Sequence, residues 1–216
     1  MKRRTLIQAG AVLAATTFTG VASAAEENTK EGKAMKKTLV IVSHPYPDQS
    51  TFTKTFEETA RGIEGVTVRN LESLYGFDSR AIDSAKEYEL TRQHERIVFI
   101  FPTHWFNVTP MPKAYMNDVW GSVGPDLWKG KELLVVSQAA GGRSTYGPNG
   151  RIGVELKDVF LPLKASALHC GMTYLEPLVF EAASRSKLKE YREALIARLT
   201  ASEPFKKEKG KSDEQY

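Results

Sequence analysis

Residues Met35–Arg61 read MKKTLVIVSHPYPDQSTFTKTFEETAR, and the fold follows from this stretch. Two lysines precede an apolar, β-branched run from Thr38 to Val42, the mark of a buried strand. Ser43-His44-Pro45-Tyr46-Pro47-Asp48-Gln49-Ser50 comes next, a loop kept out of helix by its two prolines. Phe52, Phe56, Ala60 and Ile63 then recur at helical spacing. Ser50 or Thr51 stands where an N-cap belongs, just ahead of backbone N–H groups without intrahelical acceptors. A strand, a turn of Ser, Thr and His, and a helix N-terminus make an anion site, because the N–H groups and the helix dipole both favour a phosphate. A capped first helix with no ligand is the rival reading. Two later loops that lead to the same place favour the phosphate.

Beyond Arg61, Val66 to Leu71 reads as a second strand and polar Glu72 to Asp83 as a connection. A charged helix spans about Ser84 to Arg92, and Ile97 to Phe101 is a third buried strand ending at Pro102. Thr103 to Thr109 is a loop, followed by a helix near Pro112 to Trp120 with Pro112 in its first turn. Leu133 to Ser137 is a fourth strand and Gln138 to Gly150 a Gly-rich loop. Residues 153–169 have a helical pattern that Pro162 must kink or divide. Thr173 to Phe180 is a fifth strand, with a break expected at Pro177, and Leu188, Tyr191, Leu195 and Leu199 mark the last helix. Alternating strand and helix implies an α/β three-layer sandwich with a five-stranded parallel sheet. The flavodoxin-like order 2-1-3-4-5 fits, and in such sheets ligands bind outside the strand C-termini at the switch point. The loops leaving strands one, three and four would then lie side by side.

A chain of 216 residues with 41% hydrophobic content suits one core and one domain. Its formal charge of +4 is largely a property of the first residues: taking Lys2, Arg3 and Arg4 from the 30 bases leaves 27 against 26 acids. So balanced a body gives no electrostatic case for nucleic acid. Residues 1–24 carry a basic start, an apolar stretch from about Leu6 to Val21 and the A-x-A signal Ala22-Ser23-Ala24, which together read as an export signal peptide. Arg3-Arg4 before Thr5-Leu6-Ile7 resembles the twin-arginine signal, which implies export of a folded protein to the periplasm. An ordinary secretory signal with two arginines is the alternative, and an inefficient signal would leave the protein cytoplasmic. A solvated linker covers 25–35, the domain 36–203 and a charged tail 204–216. Cys170 is the only cysteine, so no internal disulfide forms; it reads as a packing residue at a helix end, and no ligand cluster for a metal is visible.

The three loops carry the chemistry. His44 to Thr53 offers hydroxyls and N–H groups to a phosphate. Pro102-Thr103-His104-Trp105-Phe106 places two large aromatics at a strand end, where a flat indole can cover a flat ring. Ala140-Gly141-Gly142-Arg143 lets main chain approach a ligand edge. A phosphate grip at one end and an aromatic platform with free amides at the other suit FMN, with FAD left open.

The HPYPxxS start, RNLESLY, FPTHWFNVTPMPKAYMNDV, the GK-x-L-L-V-V-x-x-x-x-G-G run and PLKASALHCGM carry a resemblance. Over about residues 36–199 the chain resembles the NAD(P)H:quinone oxidoreductase family of flavodoxin-like flavoproteins, and within it the ancillary flavoprotein of glutathione-gated potassium efflux systems. The resemblance implies that His44, Ser50, Thr51, Phe52 and Thr53 form the flavin phosphate loop. It implies that Pro102, Thr103, His104, Trp105 and Phe106 line the isoalloxazine, and that Ala140, Gly141, Gly142 and Arg143 form its rim. Tyr146 matches a tyrosine that polarises the quinone. A homodimer with flavin sites near the interface is also implied. Ala139-Ala140 replace the usual Thr-Thr, and a Gly- and aromatic-rich insertion is shortened to Gly121–Trp128.

The expected activity is a two-electron transfer from NAD(P)H through flavin N5 to a quinone-like acceptor, with His104 or Tyr146 donating to the acceptor oxygen. His104 as a bystander stays open. NAD(P)H is scarce outside the cytoplasm, so an exported flavin-binding electron carrier, or a regulatory partner of a membrane protein, is the second function class. A hydrolase is poorly supported, with no G-x-S-x-G elbow, and a Walker A loop is absent.

Overall fold

The computed structural model describes residues 35–120 and 125–202. The expected leader over 1–24, nearly all of the expected linker over 25–35, positions 121–124 and the expected tail over 204–216 lie outside the described residues. Five strand positions pair in parallel in the expected order β2-β1-β3-β4-β5, with β1 at Thr38–Val42, β2 at Val66–Asn70, β3 at Arg96–Pro102 and β4 at Glu132–Gln138. The fifth position is filled by two pieces, β5 (Thr173–Tyr174) and β6 (Leu178–Phe180), both paired with β4. Pro177 lies in the gap between them, since a proline cannot donate into the ladder.

Buried strands with period-two side chains feed two cores. Leu39, Ile41, Ile97, Phe99, Leu133 and Val135 face one side. There they meet Tyr115 of α4 (Pro110–Tyr115) and Leu163 of α5 (Leu161–His169). Val40, Val42, Val98, Ile100, Leu134 and Val136 face the other, against Phe56 of α1 (Phe52–Arg61) and Leu195 of α6 (Leu188–Thr200). Each apolar side chain fully buried this way contributes roughly 1.5–3 kcal/mol.

Several local features differ from the sequence reading. Leu71, read as the end of the second strand, and the stretch after it read as connection hold a short helix α2 (Leu71–Tyr75), started by the Asn70 side chain, which accepts from the Ser73 N–H at 3.1 Å. The helix α3 (Ser84–Arg92) has its expected bounds. The next helix begins at Pro110, two residues early, and widens into a π-helix over Met116–Trp120. Pro162 sits in the first turn of α5, behind a 3₁₀ turn over Leu156–Phe160, which is the division its ring demands. Cys170 caps α5 and packs against the core; burial pushes its thiol up.

Candidate functional site

Register brings the three loops together. Val42 pairs with Ile100 and Pro102 with Gln138, so the C-terminal ends of β1, β3 and β4 share one edge. Hydrogen bonds lace that edge. The Ser43 hydroxyl lies 2.7 Å from the Thr109 hydroxyl and donates to Glu72 Oε1 at 2.6 Å. The Thr103 N–H donates to the Gln138 carbonyl at 2.8 Å, and its hydroxyl lies 2.9 Å from that of Ser137. Gln138 Nε2 donates to Thr53 Oγ1 at 3.0 Å, which ties β4 to the first turn of α1.

At the phosphate end, Ser50, Thr51, Phe52 and Thr53 gather at the start of α1. Thr51 is the N-cap but has helical backbone angles and makes no side-chain cap. Ser50 serves instead, its hydroxyl accepting from the Lys54 N–H at 3.2 Å. The N–H groups of Phe52 and Thr53 meet no acceptor among the described residues, as the first turn of a helix requires. His44 Nδ1 accepts from the Tyr46 N–H at 3.0 Å, which leaves the proton of a neutral ring on Nε2. Burial, then the neighbouring His104, pushes the His44 imidazole down and favours that neutral form.

At the other end, Trp105 and Phe106 adopt left-handed backbone angles, φ 47° and 57°, inside a turn closed by His104 and Asn107. Such angles strain non-glycine residues and turn their side chains apart. Trp105 is 94% exposed, whereas Phe106 meets Tyr146 edge to face, ring centres 6.0 Å apart. The N–H groups of both residues are free of protein acceptors among the described residues. Pro102 is buried as the last residue of β3. The His104 ring lies 6.1 Å from that of His44 and 6.0 Å from that of Tyr46. Trp105, His104 and Tyr46 edge a cleft of about 630 Å³ that is also lined by Met116, at the start of the π-helix, and Leu163 of α5.

The glycine loop is shaped by close approach. A Cβ on Gly142 would stand 3.0 Å from that of Ala182, and one on Gly141 2.9 Å from Thr145 Oγ1. Ala140 is exposed on the rim. The Arg143 guanidinium is turned to Glu155, at 2.9 Å, and Glu181, at 3.6 Å, so its charge is engaged there.

Sequence reasoning passed over two residues at this edge. Glu72 lies 8% exposed beneath the first loop, in a segment whose polarity reads as solvated connection. Arg185, in the turn after β6, donates from Nη2 to Thr51 Oγ1 at 3.1 Å. A separation of 134 residues hides that contact from any local motif.

Over residues 36–201 the chain matches the family described by a flavodoxin-like fold. General stress protein 14 of Bacillus subtilis is 33% identical to it over 150 residues, 67% of this chain and 84% of that protein. YrkL of the same organism, an uncharacterised NAD(P)H oxidoreductase, is 34% identical over 146 residues, 64% of this chain and 82% of that one. Among solved structures, general stress protein 14 of Treponema denticola in complex with FMN superposes with a TM-score of 0.70 at 26% identity, covering 77% of this chain and 99% of that chain. The family match runs from just ahead of β1 to the end of α6, and the chain belongs to the flavodoxin-like family.

Proposed function

We infer that the protein is an FMN-dependent NAD(P)H oxidoreductase that delivers two electrons to a quinone-like acceptor. The observation that carries this reading is the meeting, at one sheet edge, of an unsatisfied helix N-terminus with the Trp105-Phe106 turn and the paired glycines. The residues suit a phosphorylated flavin on two counts. Free N–H groups at Phe52 and Thr53 suit its phosphate, and Gln138 Oε1, which reaches the same helical turn, is buried with no partner among the described residues. The relative solved with FMN supports the same choice of cofactor, and YrkL the choice of donor.

Bound there, the flavin supplies reversible two-electron chemistry between a nicotinamide donor and the acceptor. The chain's part is to hold and to donate. His44, as the Nε2–H tautomer, and the start of α1 bind the anionic tail. The amides of Trp105 and Phe106 and the Gly141-Gly142 main chain orient the ring edge. Burial and the Glu181 carboxylate push the Tyr146 phenol above its ordinary value, so it keeps its proton and is an O–H donor to an acceptor oxygen gaining charge. His104, within ring contact of His44, is the second donor in reach of the cleft. A homodimer belongs to the proposal: the exposed indole of Trp105 at the mouth of an apolar cleft is the kind of surface a second copy covers. The leader sequence adds export to it.

The test is to purify the protein with FMN, record its visible spectrum, and add NADPH with and without benzoquinone. Bleaching by NADPH and recovery on adding quinone are expected. Flavin that NADPH leaves oxidised points to an exported electron carrier, and a protein that takes up no flavin ends the reading.

A further inference from the structure

We propose that Arg185 binds the terminal phosphate of the flavin and makes the site select the phosphorylated cofactor over its unphosphorylated form; this rests on the flavin reading above. The turn that carries Arg185 is pinned to the site from both sides. Phe180, the last residue of β6, pairs with Gln138. The N–H groups of Ala182 and Ala183 donate to the carbonyls of Gly141 and Ala139, at 2.8 and 3.0 Å. Ala182, at φ 45°, reverses the chain, and Ser184 caps the 3₁₀ turn over Arg185–Lys187. The guanidinium therefore arrives at the start of α1 by construction of the sheet edge, with one N–H on Thr51 Oγ1 and the residue otherwise exposed.

Charge makes the placement informative. A helix N-terminus is the positive end of its dipole and favours acids in its first turn. Here the first turn of α1 holds no acid and contains Lys54, and Arg185 adds a second cation. Arg185 makes no ion pair among the described residues, and its one bond to a neutral hydroxyl repays little of the repulsion. An anion lying between the guanidinium and the free N–H groups of Phe52 and Thr53 resolves the conflict, and a terminal phosphate has both the charge and the acceptor oxygens for it. Gln138 points independently to a ligand at this spot. It is 6% exposed, reaches Thr53 of the same helical turn, and keeps Oε1 buried with no partner among the described residues. That acceptor wants a hydroxyl donor, which the polyol chain bearing the phosphate provides.

The experiment is a titration of the flavin-free protein with FMN and with riboflavin, following quenching of flavin fluorescence, for wild type, Arg185→Ala and Arg185→Glu. Arg185→Ala is expected to weaken FMN binding by about tenfold and to leave riboflavin within about twofold, with Arg185→Glu weaker still for FMN. Raising salt should weaken FMN binding to wild type more than riboflavin binding. Equal FMN affinity in wild type and Arg185→Ala overturns the proposal while the functional reading stands, and so does an equal loss for both flavins. A wild-type protein that binds neither flavin overturns both.

Discussion

Tyr146 meets two requirements in one side chain. Its ring, 4% exposed, packs against Phe106, while its phenol stays protonated because burial, and then Glu181, oppose ionisation. Tyr146→Phe keeps the ring contact and removes the donor. Quinone turnover should fall by roughly 100-fold, with FMN affinity unchanged. Steady-state kcat measured beside the FMN dissociation constant separates the two, and unchanged turnover would assign Tyr146 to packing. Glu72 poses a different problem. Burial raises its carboxyl above the ordinary value near 4.5, the Ser43 hydroxyl lowering it only in part, and Oε2 is buried with no partner among the described residues. The folded protein thus holds this proton more tightly than the unfolded chain does. The stability so gained is complete below about pH 4.5 and is lost as pH rises through the folded-state value. Glu72→Gln should remove that decline, raising stability at pH 8 by about 1 kcal/mol and changing little at pH 4. Urea midpoints at the two pH values decide it; parallel curves for variant and wild type would show that Glu72 does not govern the slope.

Among the elements, the last helix is fastened at the end of the sheet opposite the site. Arg96, fully buried at the start of β3, donates from Nε to Glu132 at 2.7 Å. It also donates to the carbonyls of Arg198, Leu199 and Ala201 at 3.1, 3.2 and 2.8 Å, satisfying the end of α6. Removing one partner from a buried pair costs about 3–5 kcal/mol, and Lys36, which also pairs with Glu132, holds the loss near the lower end. Arg96→Met should therefore destabilise by about 3 kcal/mol in denaturant unfolding. A neutral result would mean that α6 is held by its apolar face alone. Elements of this kind differ in how they show in the sequence. The strands were legible because apolar runs such as Leu39–Val42 and Ile97–Phe101 must be buried on both faces. The three loops were legible because Pro47, Pro102 and Gly141-Gly142 punctuate them. The helix α2 was not, because five residues started by an Asn70 cap leave no periodicity. Arg96 and Arg185 were not, because their partners stand between 36 and 134 positions away in the chain. Nor could spacing show that the backbone at Trp105 and Phe106 sends one ring to solvent and the other to Tyr146.

For the whole molecule, the site and the fold share one free energy. Loops from β1, β3 and β4 and the turn after β6 meet only when the sheet has closed in register, so the unfolded chain has no comparable site. A ligand that binds only the folded state adds about 2.7 kcal/mol at 100 times its dissociation constant. In a chain of this length that corresponds to a rise of roughly 5–10 °C in Tm. FMN should produce that rise, and riboflavin at the same concentration a smaller one, because on the proposed reading the free N–H groups at the start of α1 and Arg185 act on the phosphate alone. Differential scanning calorimetry with each flavin measures both shifts. A Tm indifferent to FMN would mean that the meeting of loops holds no phosphorylated flavin. Equal shifts from the two flavins would leave the ring as the bound group and deny the phosphate its part.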